Sequence, residues 1–324
     1  MSAMIRPVES KCAARTRVGF IVGPTGAGKT VLALEVAQAL GAEIINADSR
    51  QFYRGMDIGT AKPSQADRAR VPHHLIDVRD PGDPLDAAAF SKLARTAIAE
   101  IAARSRPPLA VGGSGLYLRV LRGGIFSGPA ASREIRERLD AEADAHGTQS
   151  LHARLREVDA EAAGRIAPGD RYRIVRALEV FELTGEPISS HQRRHRFSAG
   201  DCETLTVGIA PERTKLYEAI DRRFDEMVAA GLVDEVRRLL AAGLRPDAPP
   251  LSAIGYKQIA AYVRGECGLE EAIASGKRET RRLAKRQMTW FRAQPEIVWL
   301  NPERAGPQAL ELLSEFFQLR IRGD

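Results

Sequence analysis

A glycine-rich segment near the start of the chain has the spacing of a phosphate-binding loop. It follows the apolar run 18–22 and comprises Gly23, Pro24, Thr25, Gly26, Ala27, Gly28, Lys29 and Thr30. The glycines allow a tight turn whose backbone N–H groups face an anion, and the helix-like sequence that follows adds its positive end. Lys29 would contact phosphate oxygens, and Thr30 would place its hydroxyl on Mg²⁺. The pattern G-x-x-x-x-G-K-T therefore predicts di- or triphosphate binding, without specifying the reaction.

A polar cluster follows the next strand-like run and contains Asp48, Ser49, Arg50 and Gln51. In doubly wound sheets, functional groups gather at the carboxyl ends of strands, so we expect this cluster beside the phosphate-binding loop. The Asp48 carboxylate could act as a general base, act through Mg²⁺, or cap the N-terminus of a helix. The residues alone leave these roles open.

The elements that must position these residues alternate between strands and helices. Strand-like runs occur at 18–22, 43–46, 74–78, 109–112, 205–209 and 297–300. Between 128 and 200 the pattern changes to helices alone, at 132–145, 150–158 and 171–183. We therefore predict an α/β fold of the P-loop NTPase type, a parallel sheet flanked by helices, with an all-helical insertion. The expected boundaries are 17–127 and 201–324 for the catalytic core, and 128–200 for the insertion.

Composition narrows the class of protein. The 324 residues carry a formal net charge of +6, which favours a polyanionic partner. No apolar run approaches the roughly 18–20 residues of a membrane span, and segment 1–16 lacks the apolar stretch of a signal peptide. Segment 1–16 is predicted to be a disordered leader. Cys12, Cys202 and Cys267 lie too far apart in sequence to suggest a disulfide framework or a zinc site, so a cytoplasmic enzyme is expected.

The order of the motifs resembles that of the tRNA dimethylallyltransferases, also called tRNA isopentenyltransferases. Besides the two clusters above, the matching segments are 55–63, 73–77, 112–117, 173–180, 223–227, 253–258 and 280–292. The resemblance implies transfer of a dimethylallyl group from dimethylallyl diphosphate to N6 of the adenosine on the 3′ side of the anticodon, tRNA position 37. The products would be N6-(dimethylallyl)adenosine and pyrophosphate. The family's eukaryotic zinc finger is absent from the sequence, which suggests a bacterial-type enzyme, expected to be a monomer.

The same resemblance implies roles for individual residues. Residues 23–30 would bind the donor diphosphate, with Thr30 on Mg²⁺, and Lys29 would stabilise the charge that develops on pyrophosphate. Thr25 would donate a hydrogen bond to the bridging oxygen. Arg223 would hold the diphosphate from the opposite side, unless it is a solvated helix residue. Asp48 would accept the N6 proton, whereas His73 and His74 are expected to be structural.

The acceptor base lies in an anticodon stem-loop, so it must flip out to reach the donor. Residues expected to contact tRNA are Asp48, Ser49, Arg50, Gln51, Ser114, Arg136, Tyr172, Arg173, Ile174, Val175, Arg176, Ser252, Ala253, Ile254, Gly255, Tyr256, Lys257, Lys285, Arg286, Gln287, Met288, Thr289, Trp290, Phe291 and Arg292. Gln51 could read the adenine edge. The insertion would grip the anticodon arm, with a second basic cluster at 191–196. The basic run at 278–292 has an alternative interpretation, a solvated helix face with two core aromatic residues.

Two other functions agree with the phosphate-binding loop. A P-loop kinase acting on a small molecule or nucleotide would use ATP as donor and the insertion as a lid. A nucleotide-gated RNA-binding protein would perform no transfer at all. The kinase interpretation explains the loop but not the basic runs, and the RNA-binding interpretation would make Asp48 dispensable for any product.

Overall fold

A parallel sheet places the glycine-rich loop at the end of a central strand. The computed structural model describes residues 15–83, 85–124, 128–129, 132–195, 202–246 and 248–319. Its strands are β1 (Thr16–Val22), β2 (Glu43–Asn46), β3 (His73–His74), β4 (Pro108–Gly112), β5 (Cys202–Ile209) and β6 (Ile297–Leu300). They lie in the order β3-β2-β4-β1-β5-β6, and every neighbouring pair is parallel. This arrangement confirms the predicted α/β fold of the P-loop type.

The strand predicted at 74–78 is wrong in its extent, because β3 ends at His74. Leu75 and Asp77 have φ values of 61° and 57°, in the left-handed region that strands do not contain. The Asp77 carboxylate instead accepts a 2.6 Å hydrogen bond from Lys62 Nζ. The segment after β3 is therefore a loop held by an ion pair.

Helices make up most of the remaining described chain. They are α1 (Lys29–Leu40), α2 (Gln65–Arg70), α3 (Ala87–Ala103), α4 (Gly115–Gly123), α5 (Arg133–His146), α6 (Thr148–Val158), α7 (Ala160–Arg165), α8 (Arg171–Thr184), α9 (Ile188–His195), α10 (Arg213–Ala229), α11 (Leu232–Ala241), α12 (Tyr256–Val263), α13 (Leu269–Arg292) and α14 (Ala305–Phe317). Not one of the helices in these ranges has the length and apolar character to cross a membrane.

The sheet is held by a continuous apolar core. Ile21 of β1 and Leu109 of β4 are completely buried, as are Val207 of β5 and Leu313 of α14. Burial of each such side chain stabilises the fold by about 1.5–3 kcal/mol. The loop after β1 thus follows an inner strand of the sheet that belongs to this core.

Two compact units divide the chain, one of Met1–Arg122 with Asp201–Asp324, the other of Gly123–Gly200. Within the described part of the second unit, the regular elements after α4 are the helices α5 to α9. Its core contains Leu139, Leu151 and Ile174, all fully buried. Helix α8 begins after Asp170, whose side chain accepts a hydrogen bond from the Arg173 backbone N–H. The predicted leader lies outside the described residues except for its last two positions, and β1 begins at Thr16.

Candidate active site

The glycine-rich loop connects the end of β1 directly to α1. Gly26 and Gly28 have φ values of 82° and 86°, which residues with a side chain rarely adopt. Gly28 is the N-cap of α1, so the backbone N–H groups of the loop lie at the positive end of that helix. This geometry is suited to an anion.

Lys29 places its ammonium group inside the loop. Its Nζ donates a 2.8 Å hydrogen bond to the backbone oxygen of Pro24. Burial lowers the pKa of Lys29 to about 8; the Asp48 carboxylate opposes this shift, and the Arg223 guanidinium adds to it. An approaching anion would stabilise a desolvated ammonium, so the loop is electrostatically prepared for phosphate oxygens.

Arg223 projects from α10 toward the same loop. Its Nη2 donates a 2.6 Å hydrogen bond to Thr25 Oγ1. Burial lowers the pKa of the guanidinium, whereas the Asp48 carboxylate raises it. The interpretation of Arg223 as a solvated helix residue is therefore wrong, because its side chain is held against the phosphate-binding loop.

Asp48 lies just beyond the end of β2. Its Oδ1 accepts a 2.9 Å hydrogen bond from the Arg50 backbone N–H, which stabilises a turn at residues 49–52. In the described chain no helix starts between β2 and α2, so the helix N-cap interpretation is wrong. No described group donates a hydrogen bond to Asp48 Oδ2, which leaves that oxygen able to accept a hydrogen bond from a ligand.

Gln287 of α13 reaches the loop from another direction. Its Oε1 accepts a 2.9 Å hydrogen bond from the Thr25 backbone N–H. Its Nε2 donates a 2.9 Å hydrogen bond to the backbone oxygen of Gly113, at the end of β4. The sequence predicts Gln287 as an RNA contact, but its amide has two partners within the protein. No local pattern signals these contacts, because they span 262 and 174 residues.

All these groups line one pocket at the carboxyl ends of β1, β2 and β4. Its polar lining residues are Thr25, Lys29, Thr30, Asn46, Asp48, Gln51, Thr60, His73, Arg223 and Gln287. The remaining lining residues are Ala33, Ile44, Ala61, Pro63, Val111, Gly112 and Gly113. A pocket with cations and hydroxyls beside small apolar groups suits a ligand with a charged head and a short hydrocarbon part.

One wall of this pocket is a loop that the buried Glu235 of α11 fixes in place. Its carboxylate accepts hydrogen bonds from three successive backbone N–H groups, those of Asp57, Ile58 and Gly59, at 2.9, 2.9 and 3.1 Å. The Tyr256 hydroxyl donates a fourth, at 2.6 Å. Sequence reasoning missed Glu235, because a carboxylate on an amphipathic helix gives no sign that it is buried.

The residues predicted to meet RNA beside the pocket also have protein partners. Gln51 Nε2 donates to two backbone oxygens of its own loop, at 3.1 and 3.2 Å. Arg50 Nη1 donates at 2.8 Å to the backbone oxygen of Pro249. Ser49 and Ser114 are half-buried, and Ser114 immediately precedes α4. Gln51 thus retains only its Oε1 for an adenine edge.

The predicted contacts before and within α12 differ in exposure. Ser252 and Lys257 are exposed, Ile254 is half-buried, and Ala253, Gly255 and Tyr256 are buried. The three buried residues can position the exposed side chains, but they are not themselves exposed for contact with RNA.

Helix α13 presents its exposed cations mainly in its C-terminal half. Lys285, Arg286, Thr289 and Arg292 are exposed, Met288 and Trp290 are half-buried, and Phe291 is completely buried. Earlier on the helix, Lys277 pairs with Asp225 at 2.6 Å and Arg281 with Asp221 at 2.5 Å, both on α10. The surface that includes Lys285 and Arg286 is therefore the stronger candidate for phosphate contacts. Phe291 belongs to the core, as the alternative interpretation of this helix has it, and contact of the exposed residues with RNA stays a prediction.

In the helical unit, Tyr172 is the most exposed large hydrophobic residue of the described chain, with 76% of its surface accessible. It lines a shallow pocket with Arg136 and Arg176, both of which donate to the buried carboxylate of Glu179. Arg173 is exposed, whereas Ile174 and Val175 are buried. An aromatic ring among guanidinium groups is a surface on which bases stack.

Two arginines of the second basic cluster, residues 191–196, form ion pairs within the protein. Arg193 pairs with Glu161, and Arg194 pairs with Glu186. Arg196, its last member, lies outside the described residues.

Comparison with known proteins agrees with this geometry. A family model described as IPP transferase matches residues 51–294, and one described as isopentenyl transferase matches residues 16–80. The tRNA dimethylallyltransferase of Syntrophobacter fumaroxidans is 50% identical over 291 residues, which cover 89% of this chain and 85% of that protein. That of Geobacter metallireducens is 50% identical over 287 residues, covering 89% and 93% of the two chains.

Solved structures give the same result. The tRNA isopentenylpyrophosphate transferase of Bacillus halodurans is 38% identical, with a TM-score of 0.70 over 94% of this chain and 97% of that one. A eukaryotic dimethylallyltransferase acting on tRNA shares the fold, with a TM-score of 0.79, 24% identity, and coverage of 95% and 81% of the two chains. The resemblance in the sequence is confirmed, and the chain belongs to the IPP transferase family.

Proposed function

We propose that this protein transfers the dimethylallyl group of dimethylallyl diphosphate to N6 of the adenosine on the 3′ side of the tRNA anticodon. The observation that carries the proposal is the convergence of Lys29, Arg223 and Asp48 on one pocket, with small apolar residues beside them. Two cations suit a diphosphate, the apolar part suits a five-carbon chain, and the carboxylate suits an amine that must lose a proton.

The cationic side of the pocket would stabilise the leaving group. When the bond between carbon and the bridging oxygen breaks, negative charge grows on pyrophosphate. Lys29 and Arg223 are already placed beside the loop and need not reorganise as this charge develops. The Thr25 hydroxyl, which accepts a hydrogen bond from Arg223, would donate a hydrogen bond to the bridging oxygen.

The Asp48 carboxylate would act on the acceptor. Adenine N6 is conjugated with the ring and is a poor nucleophile until its proton is removed as the new bond to carbon forms. Asp48 Oδ1 is engaged by the Arg50 backbone N–H, whereas Oδ2 has no described donor. Oδ2 would therefore take the N6 proton.

The donor set around the loop fits a magnesium ion that is held together with a diphosphate. Thr30 is exposed and lines the pocket, so its hydroxyl would be the protein's ligand to the ion. Among the described residues, no three His, Cys, Asp or Glu side chains are grouped to hold a metal by themselves. Mg²⁺ in diphosphate sites is usually held by one or two protein ligands together with phosphate oxygens and water. When bound, the ion would neutralise charge on the diphosphate.

Two surfaces would bind the RNA. We assign phosphate contacts to the exposed cations Lys285 and Arg286 on α13, and base stacking to Tyr172 of the helical unit. These contacts would position the anticodon loop, and a flipped adenine would then enter the pocket.

One experiment separates this function from its alternatives. The protein is mixed with unmodified tRNA and either labelled dimethylallyl diphosphate or labelled ATP. We expect label from the first donor to appear in tRNA and pyrophosphate to be released, with no phosphate transfer from ATP. Phosphate transfer or release from ATP without RNA would support a kinase. Binding of tRNA without any product would support an RNA-binding protein.

A further inference from the structure

Gln287 joins two loops of the pocket through one side-chain amide. Oε1 accepts from the Thr25 backbone N–H and Nε2 donates to the backbone oxygen of Gly113, each at 2.9 Å. We propose that Gln287 is a positioning residue that holds Thr25 for the transfer reaction, instead of an RNA contact. This inference rests on the function proposed above.

Gln287 lies on the buried face of α13. Ala284 and Phe291, three residues before it and four after, have no exposed surface. Residues at this spacing share one face of a helix. Lys285 and Arg286, by contrast, are exposed. Gln287 is therefore directed into the protein with the packing residues and not toward solvent with the cations.

The bridge determines how Thr25 meets the diphosphate. Because Gln287 engages the Thr25 backbone N–H, Thr25 offers the ligand its hydroxyl group. Arg223 donates to the oxygen of that hydroxyl at 2.6 Å, which leaves the hydroxyl proton for an oxygen of the ligand. Thr25 is thus restrained twice, at its backbone N–H by Gln287 and at its hydroxyl by Arg223. Without Gln287 the first of these restraints is lost. A shift of about 1 Å in a reacting group can slow an enzyme about 100-fold.

Gly113 provides a second way to disturb the same bridge. A Cβ at this position would lie 2.7 Å from Gln287 Nε2, closer than nonbonded atoms approach. The next nearest atom, the backbone oxygen of Gly23, would lie 3.3 Å away. Gly113→Ala would therefore displace the end of the Gln287 side chain without altering Gln287 itself.

The first test is a double-mutant cycle between Gln287→Met and Thr25→Ala, measured as single-turnover product formation with saturating donor and tRNA. Methionine keeps the length of glutamine but makes neither hydrogen bond. We expect Gln287→Met to slow the chemical step by about 10–100-fold and Thr25→Ala to slow it by about 10²–10³-fold. The double variant should be within about threefold of the slower single variant, because both changes disable one group. The dissociation constant for tRNA should change by less than about twofold.

Gln294→Met is the matched control. Gln294 follows the same helix, is also half-buried, and makes one hydrogen bond, from Nε2 to the backbone oxygen of Trp290 at 3.2 Å. Its substitution should leave the rate of product formation at the wild-type value.

The second test uses Gly113→Ala and remains informative if Gln287→Met does not fold. Alone, Gly113→Ala should reproduce the slow step of Gln287→Met. Serine at position 287 has a short side chain that leaves room for the added methyl group. Gly113→Ala should therefore not slow the Gln287→Ser variant any further.

Each of the following results would overturn the inference. The first is that the losses of rate in the double-mutant cycle are additive. The second is that Gly113→Ala slows the Gln287→Ser variant as much as it slows the wild-type protein. The third is that Gln287→Met weakens tRNA binding while its rate at saturation stays normal. The third result would make Gln287 an RNA contact. Thr25→Ala at a normal rate would remove the role of Thr25 and this inference with it. Wild-type protein that forms no prenylated tRNA would instead contradict the proposed function.

Discussion

Arg223 Nη2 lies 2.6 Å from Thr25 Oγ1, a contact that joins α10 to the phosphate-binding loop across 198 residues of sequence. A guanidinium group can only donate hydrogen bonds, so the Thr25 oxygen is the acceptor and its proton remains available. The pair would therefore present both a positive charge and a hydroxyl donor to the diphosphate.

This relationship predicts different effects for two changes at Thr25. Thr25→Val removes the hydroxyl but keeps the shape of the side chain, and should lower kcat by about 10²–10³-fold, as the loss of one preorganised donor does. Thr25→Ser keeps the hydroxyl and should stay within about tenfold of wild type. Steady-state rates with saturating tRNA would check both. Equal rates for the two variants would show that the hydroxyl has no role.

Sequence patterns predict the elements of this site better than its contacts. Strands 43–46 and 297–300 match the structure residue for residue, since each is a short run suited to a parallel sheet. The strand prediction at 74–78 fails because Leu75 and Asp77 have left-handed φ values, and the Asp77 carboxylate pairs with Lys62 and Arg68 in the resulting loop.

The contacts that shape the pocket could not be predicted from the sequence, for a different reason. Gln287 and Glu235 act on loops that are more than a hundred residues away in the sequence. Local spacing carries no information about which buried polar groups such side chains will meet. The phosphate-binding loop could be predicted because its ligand-binding groups are consecutive in the chain.

The lowered pKa of Lys29 predicts pH-dependent binding of pyrophosphate. With its pKa at about 8 in the free protein, Lys29 loses its charge as the pH rises above 8. Bound pyrophosphate favours the charged form, so binding requires proton uptake and affinity should fall by up to about tenfold per pH unit above this pH. Isothermal titration calorimetry at pH 7 to 9.5 in several buffers would measure this.

Pyrophosphate also titrates in this range, so Lys29→Arg is the control. Arginine stays charged throughout and reports the proton linkage of the ligand alone. The wild-type protein should show additional proton uptake and a steeper loss of affinity. Identical pH profiles for the two proteins would contradict the assignment of the titrating group.

Lys285 and Arg286 should contribute to the salt dependence of tRNA binding. Their joint replacement by Ala should weaken binding and reduce the slope of log affinity against log salt by about one to two, because each phosphate contact contributes about 0.7–0.9. Arg237 and Arg238, two consecutive exposed cations on α11, provide a control with the same change in net charge. Filter-binding measurements at salt concentrations from about 50 to about 300 mM would give both slopes. Equal slopes for the two double variants would place the RNA elsewhere.

Glu235 should matter for stability because it accepts four hydrogen bonds within the protein. Glu235→Ala leaves three backbone N–H groups and the Tyr256 hydroxyl without an acceptor, and should lower the free energy of unfolding by about 2–4 kcal/mol. Glu226→Ala, at an exposed position on α10, should change it by less than about 0.5 kcal/mol. Urea unfolding of the three proteins would decide, and similar stabilities would contradict a structural role for this carboxylate.

Asp48→Asn isolates the basicity of the carboxylate from its hydrogen bonding. Asparagine keeps an Oδ1 that can accept from the Arg50 backbone N–H, so the turn after β2 should persist. Donor and tRNA should bind normally while the single-turnover rate falls by about 10²–10⁴-fold, because Oδ2 is replaced by a group that cannot take a proton. If the carboxylate acted mainly through Mg²⁺, donor binding would weaken and excess Mg²⁺ would partly restore the rate. A near-normal rate across the Mg²⁺ series would exclude Asp48 as the base.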